Sequence, residues 1–97
     1  MSADVMRESQ FSRTITTLAR KCGWLVYHVA RTKYRKAGFP DLVMLRDGQQ
    51  IVAELKKHDG VLSEEQKDWL LEFGKCKSVQ TYVWRPEDWP TIQQLLQ

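Results

Sequence analysis

The sequence predicts an α/β fold, a mixed β-sheet flanked by helices with its elements in the order αβββαβα. Three observations predict it. Helical periodicity opens the chain, an Asp47-Gly48 turn joins two apolar runs at its centre, and a Ser63-Glu64-Glu65-Gln66 helix start separates those runs from a last strand. At 97 residues, with 42% hydrophobic and 28% charged side chains, the chain suits one domain over residues 1–97 and is too short for two cores.

Residues 6–22 place Phe11, Ile15, Leu18, Ala19 and Cys22 at helical spacing, with Arg13, Thr17, Arg20 and Lys21 elsewhere and Gly23 closing the helix. Glu8 stands three residues before Phe11 and seven before Ile15, so the same stripe should carry it inward. Leu25 to Val29, rich in β-branched and aromatic side chains, reads as a first strand. A loop over residues 30–40 follows, with Arg31, Lys33, Arg35 and Lys36 around Tyr34. It is the densest positive charge in the chain.

Residues 41–46 and 49–56 form a hairpin, because Asp47-Gly48 suits the two positive φ angles of a type I′ turn. The capping box at Ser63 starts a second helix whose apolar side is Trp69, Leu70 and Phe73 and whose end is Gly74. Residues 79–84 read as a fourth strand. Pro86 and Pro90 then allow only short helical pieces carrying Ile92, Leu95 and Leu96.

The net charge of +3 and pI near 9.0 favour polyanionic partners only slightly. Cys22 and Cys76 have no CxxC or CxxH neighbour, which argues against a zinc site or a disulfide framework and for buried reduced thiols. The four tryptophans are expected in the core. Asp4, Arg7 and Glu8 interrupt any signal-peptide core, and no run is apolar enough to span a membrane, so a cytoplasmic protein is expected.

The hairpin carries the chemistry. A two-residue turn sets Asp41 directly opposite Glu54, with Cβ atoms roughly 4.5 to 5.5 Å apart. Lys56, two residues beyond Glu54, shares their face, while Leu42, Met44, Ile51, Ala53 and Leu55 point to the other. Two carboxylates so placed repel unless they share a cation or a proton. Hard oxygen ligands suit Mg²⁺ or Mn²⁺, and the Leu55 carbonyl between Glu54 and Lys56 is a further candidate ligand. A solvated face on which Lys56 merely neutralises the acids is the alternative.

Gly38-Phe39-Pro40-Asp41-Leu42-Val43, Ala53-Glu54-Leu55-Lys56 and Leu62-Ser63-Glu64-Glu65-Gln66 together resemble the VRR-NUC domain of the PD-(D/E)xK nuclease superfamily. The likeness runs from the Glu8 helix to Trp84-Arg85-Pro86, as in the stand-alone phage and bacterial type, whose setting would be the phage or bacterial host cytoplasm. It implies a restriction-endonuclease-like fold, Mg²⁺- or Mn²⁺-dependent phosphodiester hydrolysis, and a homodimer acting on branched DNA such as Holliday junctions. Matched by position, it implies that Asp41 and Glu54 are metal ligands and Lys56 the catalytic lysine. Glu8 becomes the acid of the first helix, placed to support the metal through water or to hold a second ion, and Gln66 the polar residue facing the site.

Gln66 also has a capping-box role, and both can hold. Arg31, Lys33, Arg35 and Lys36 are expected to contact DNA phosphates, and His28, at the strand end before them, is a phosphate contact or a structural histidine. A non-catalytic DNA-binding module that recruits partners through residues 89–96 competes with the nuclease reading. An enzyme acting on another metal-activated substrate is a weaker rival, because it leaves the basic loop without a role.

Overall fold

The computed structural model describes residues 7–97. The first helix, α1, spans Glu8–Lys21, so the start expected at residue 6 lies outside the described residues. Gln10 accepts the Arg7 backbone N–H at its start, and Cys22 with Gly23, at φ 90°, ends it. Strand β1, Leu25–His28, is one residue shorter than the sequence predicts. Val29 N–H still donates to the Asp41 carbonyl at 2.8 Å, outside the regular ladder.

Strands β2, Leu42–Arg46, and β3, Gln49–Leu55, form the expected hairpin. Asp47 and Gly48 take φ of 51° and 76°, the two left-handed residues of a type I′ turn. Arg46 pairs with Gln49 and Leu42 with Ala53, which is the predicted register. Asp41 falls just before β2 rather than inside it. Its carboxylate, not a strand carbonyl, takes the Leu55 N–H at 2.9 Å.

Helix α2, Glu64–Gly74, begins with both halves of the capping box in place. It crosses over to β4, Val79–Trp84, which lies parallel to β3 with Leu55 beside Trp84. A 3-10 turn, Pro86–Asp88, leads into α3, Trp89–Leu96. The sheet order β1-β2-β3-β4 is mixed, two antiparallel pairs and one parallel pair.

The core fills the space between the sheet and α1 with α3: Phe11, Ile15 and Ala19 meet Leu42, Met44, Ile51, Ala53 and Leu55, with Ile92 and Leu96 closing the layer. These are the hairpin residues whose alternation points away from the acids. Arg46 fixes one end, its guanidinium 4.4 Å from the Trp24 ring centroid and donating to the carbonyls of Cys22 and Leu96 at 2.8 and 2.9 Å. Trp24 and Trp84 are buried as expected, but Trp69 and Trp89 are only half-buried.

The cysteines correct another expectation. Cys22 is half-buried and Cys76 exposed, because Cys76 lies in the turn after α2 rather than on a core-facing element. No helix is long and apolar enough to cross a membrane among the described residues.

On the opposite face, α2 packs over β4 and β3 without burying any of its own residues fully. Its Trp69 and Phe73 meet Phe39, with ring centroids 5.1 and 6.0 Å apart, and Trp69 Nε1 donates to the Ala37 carbonyl at 3.2 Å. The loop before β2 is thus held against α2. Gly38 makes that approach possible: at φ 84°, a Cβ there would lie 2.5 Å from the Glu65 carbonyl carbon.

Candidate active site

The open end of the hairpin brings two carboxylates into the protein. Asp41 and Glu54 are 2% and 1% exposed. The Asp41 position follows from Pro40, buried against the fold, and from the Leu55 N–H that captures Oδ2. Glu54 is carried in by β3, which is buried along residues 51–55.

Their electrostatics diverge. Burial, then a hydrogen bond with Asp41 and the charge of Asp41, push the Glu54 carboxyl up to about 9, against incomplete relief from Lys56 and Arg35. Burial also opposes ionisation of Asp41, but hydrogen bonds with Glu54, the Leu55 N–H and Arg35 outweigh it and hold that carboxyl below its usual value. Glu54 Oε2 is buried without a hydrogen-bond partner among the described residues. A buried acceptor of this kind is costly unless a proton or a cation meets it.

A cleft of about 410 Å³ opens at this pair, lined also by Lys56, Gln66, Arg35 and Lys36. The structure therefore brings together Asp41, Glu54, Lys56 and Gln66, as the sequence predicts. Gln66 Oε1 is committed to the Ser63 N–H at 2.8 Å, so the amide nitrogen is the group left to donate elsewhere. The capping box and a place on the cleft wall coexist in Gln66.

Glu8 stands apart from this set. It lines a neighbouring cleft of about 560 Å³ with Ser12, His28, Arg31, Asp41 and Leu55, and the two clefts share Asp41 and Arg31. Its side chain is half-exposed and paired with Arg31, less inward than helical spacing predicts, because it is the first residue of α1 and lies beyond the packed core. The ring of His28, itself exposed, sits 3.4 Å from Ser12 Oγ.

The basic loop divides in a way that its sequence does not reveal. Lys33 and Lys36 are exposed, with Lys33 Nζ 5.2 Å from the Tyr34 ring centroid. Arg35 turns inward, 15% exposed, and Nη2 donates to Asp41 Oδ1 at 3.0 Å and to the Phe39 carbonyl. Arg31 Nη2, paired with Glu8, lies 3.8 Å from the same Asp41 oxygen. An aperiodic loop offers no rule for side-chain direction, so this convergence had no sequence signature.

The residues present fit a divalent cation. Two adjacent buried carboxylates, one with an orphaned oxygen, supply hard ligands, and a cation there would satisfy Glu54 Oε2 without a proton. Among the described residues no third His, Cys, Asp or Glu completes a cluster with them, so remaining ligands would be backbone oxygen or water. Leu55 has its N–H on Asp41 and borders the Glu8 cleft.

Compared with protein-family models, residues 4–85 match the one described as VRR-NUC domain, a span that takes in α1, the hairpin, α2 and β4. Comparison with curated proteins and with solved structures gives no match.

Proposed function

The chain belongs to the VRR-NUC domain family, a nuclease-type family acting on DNA, and from that premise we propose that it is a divalent-metal-dependent endonuclease cleaving phosphodiester bonds in branched DNA. Its mixed sheet flanked by helices is a restriction-endonuclease-like fold. One observation carries the proposal furthest: a buried Asp41–Glu54 pair with an unpartnered oxygen opens into a cleft that also holds Lys56.

In this reading Asp41 and Glu54 hold Mg²⁺ or Mn²⁺, with the Leu55 carbonyl and Glu8, through water, as further ligands. The chemistry such an ion supplies is a water of lowered pKa and a polarised phosphate oxygen. Lys56 orients the attacking water and offsets the negative charge that grows on the phosphate in the transition state. Gln66, its oxygen held by Ser63, offers the cleft a donor from its amide nitrogen. Arg31, Lys33 and Lys36, with His28 beside Ser12, bind neighbouring phosphates through salt-sensitive contacts.

A four-way junction has approximate two-fold symmetry, and cutting it symmetrically needs two sites, which suits a C2 dimer of this single domain. The decisive experiment mixes the protein with labelled junction, flap and duplex DNA in Mg²⁺ or Mn²⁺. Junction cleavage that disappears in Asp41→Ala is expected. Failure to cut any of the three, or cutting that survives Asp41→Ala, overturns the proposal. Sedimentation at working concentration tests the dimer, and a monomeric mass removes it.

A further inference from the structure

The charge around Asp41 is already balanced without a metal. Arg35 differs from the other basic residues of its loop in being largely buried and bound at both ends of one nitrogen, to Asp41 Oδ1 at 3.0 Å and to the Phe39 carbonyl. Arg31 adds a second guanidinium 3.8 Å from the same oxygen. A divalent ion approaching Asp41 therefore meets positive charge at that oxygen. Arg35 must withdraw, or the ion binds weakly.

Withdrawal has a destination. Arg35 lines the same cleft as Lys56, Lys36 and Gln66, where the DNA phosphate is read to lie. Both its described hydrogen bonds come from Nη2, so among the described residues Nη1 and Nε remain available as donors. A guanidinium presents donors in a planar fork that matches a phosphate oxygen pair, which an ammonium does not.

We propose that Arg35 is a displaceable counter-ion of Asp41, competing with the metal in the DNA-free protein and moving onto the phosphate of the bound DNA when the metal takes its place. This rests on the metal-dependent reading above. It assigns Arg35 two partners in sequence rather than one. Metal and DNA then favour each other's binding, because each gives the other a vacated charge to meet.

The test measures Mn²⁺ binding to DNA-free protein by electron paramagnetic resonance of the free ion, for wild type, Arg35→Met, Arg35→Lys and Lys33→Met. Arg35→Met removes the charge and keeps the stem. It should bind Mn²⁺ about tenfold more tightly, whereas Arg35→Lys, which keeps the charge, and Lys33→Met, which removes an exposed one, should stay within about twofold of wild type. Cleavage of junction DNA at saturating Mn²⁺ should fall at least tenfold in Arg35→Met despite the tighter metal. That opposition of sign is what a merely structural arginine does not produce.

Equal or weaker Mn²⁺ binding by a folded Arg35→Met, or undiminished cleavage, overturns the proposal and leaves the metal-dependent reading standing. If Arg35→Met does not fold, Arg35→Lys decides alone: a planar-fork role requires its cleavage to fall with Mn²⁺ affinity unchanged, and wild-type cleavage overturns the proposal. Absence of Mn²⁺ binding by both the wild type and a folded Arg35→Met overturns the metal reading and this inference with it.

Discussion

Asp41 Oδ2 accepts the backbone N–H of Leu55 at 2.9 Å, so the side chain read as a metal ligand also closes the end of strand β3. One carboxylate serves structure with one oxygen and faces Arg35 with the other. Substitutions at Asp41 can therefore separate the two roles. Asp41→Asn keeps an acceptor for Leu55 and should melt within a few degrees of wild type without metal, while losing cleavage on the order of a hundredfold or more. Asp41→Ala leaves that buried N–H unsatisfied and should cost a further 1–3 kcal/mol or so in urea denaturation.

Glu54 makes metal-free stability fall as pH rises. Its carboxyl titrates at about 9 when folded and near 4.5 when unfolded, so between those values the folded state holds a proton that the unfolded state has lost. Stability is greatest below the lower value and declines up to the higher one, by about 3 kcal/mol at pH 7. Asp41, held low, acts oppositely and only in acid, losing its contribution as pH drops below the usual carboxylate value. Urea titrations from pH 5 to 9 should show the decline, and Glu54→Gln should flatten it. Added Mn²⁺ should restore stability most at the alkaline end, and a decline unaffected by Glu54→Gln rejects the assignment.

Gln66 can be dissected by charge. Gln66→Glu retains the oxygen that caps Ser63 N–H and removes the amide donor, so the fold should stay within about 0.5 kcal/mol of wild type while cleavage drops. Gln66→Ala loses the cap as well, at about 0.5–1 kcal/mol. Comparing melting curves with cleavage rates for the pair distinguishes the capping role from the cleft role. Equal rates in Gln66→Glu and wild type leave only the cap.

Gly38→Ala should cost at least about 2 kcal/mol, since it combines strain at φ 84° with a Cβ 2.5 Å from the Glu65 carbonyl carbon. Gly48→Ala, at φ 76° with open space around it, carries only the strain, about 1 kcal/mol. Urea midpoints compare the two. Equal costs would show that the Gly38 loop yields instead of pressing on α2.

DNA binding should weaken steeply with salt, and Lys36→Ala should reduce the slope of log affinity against log salt by about 0.9, the share of one phosphate contact. Lys33→Ala should do the same. An unchanged slope in either removes that lysine from the interface.

Much of this was legible in the sequence, and for identifiable reasons. The hairpin register followed from Asp47-Gly48, the α2 start from Ser63 and Gln66, and the buried hairpin face from alternation, all short-range rules. Those rules brought Asp41, Glu54 and Lys56 together, and the resemblance to the VRR-NUC domain added Gln66. What escaped lay in residues 30–40, where no period exists to aim a side chain. Arg31 and Arg35 belong to the same basic cluster as Lys33 and Lys36, yet one guanidinium pairs with Glu8 and the other with Asp41. Glu8 escaped for a related reason, since helical phase gives a direction but not where the sheet beneath it ends.

The Asp47-Gly48 turn gives the site a parity. Side chains on a strand alternate, so one residue inserted between Arg46 and Gln49 would slide β3 by a step against β2 and offer the cleft an apolar neighbour of Glu54 in its place. The turn begins six residues after Asp41, about 20 Å away along β2, and touches none of the reacting groups. An odd change in loop length there would erase the acid pair while leaving every acid in the sequence.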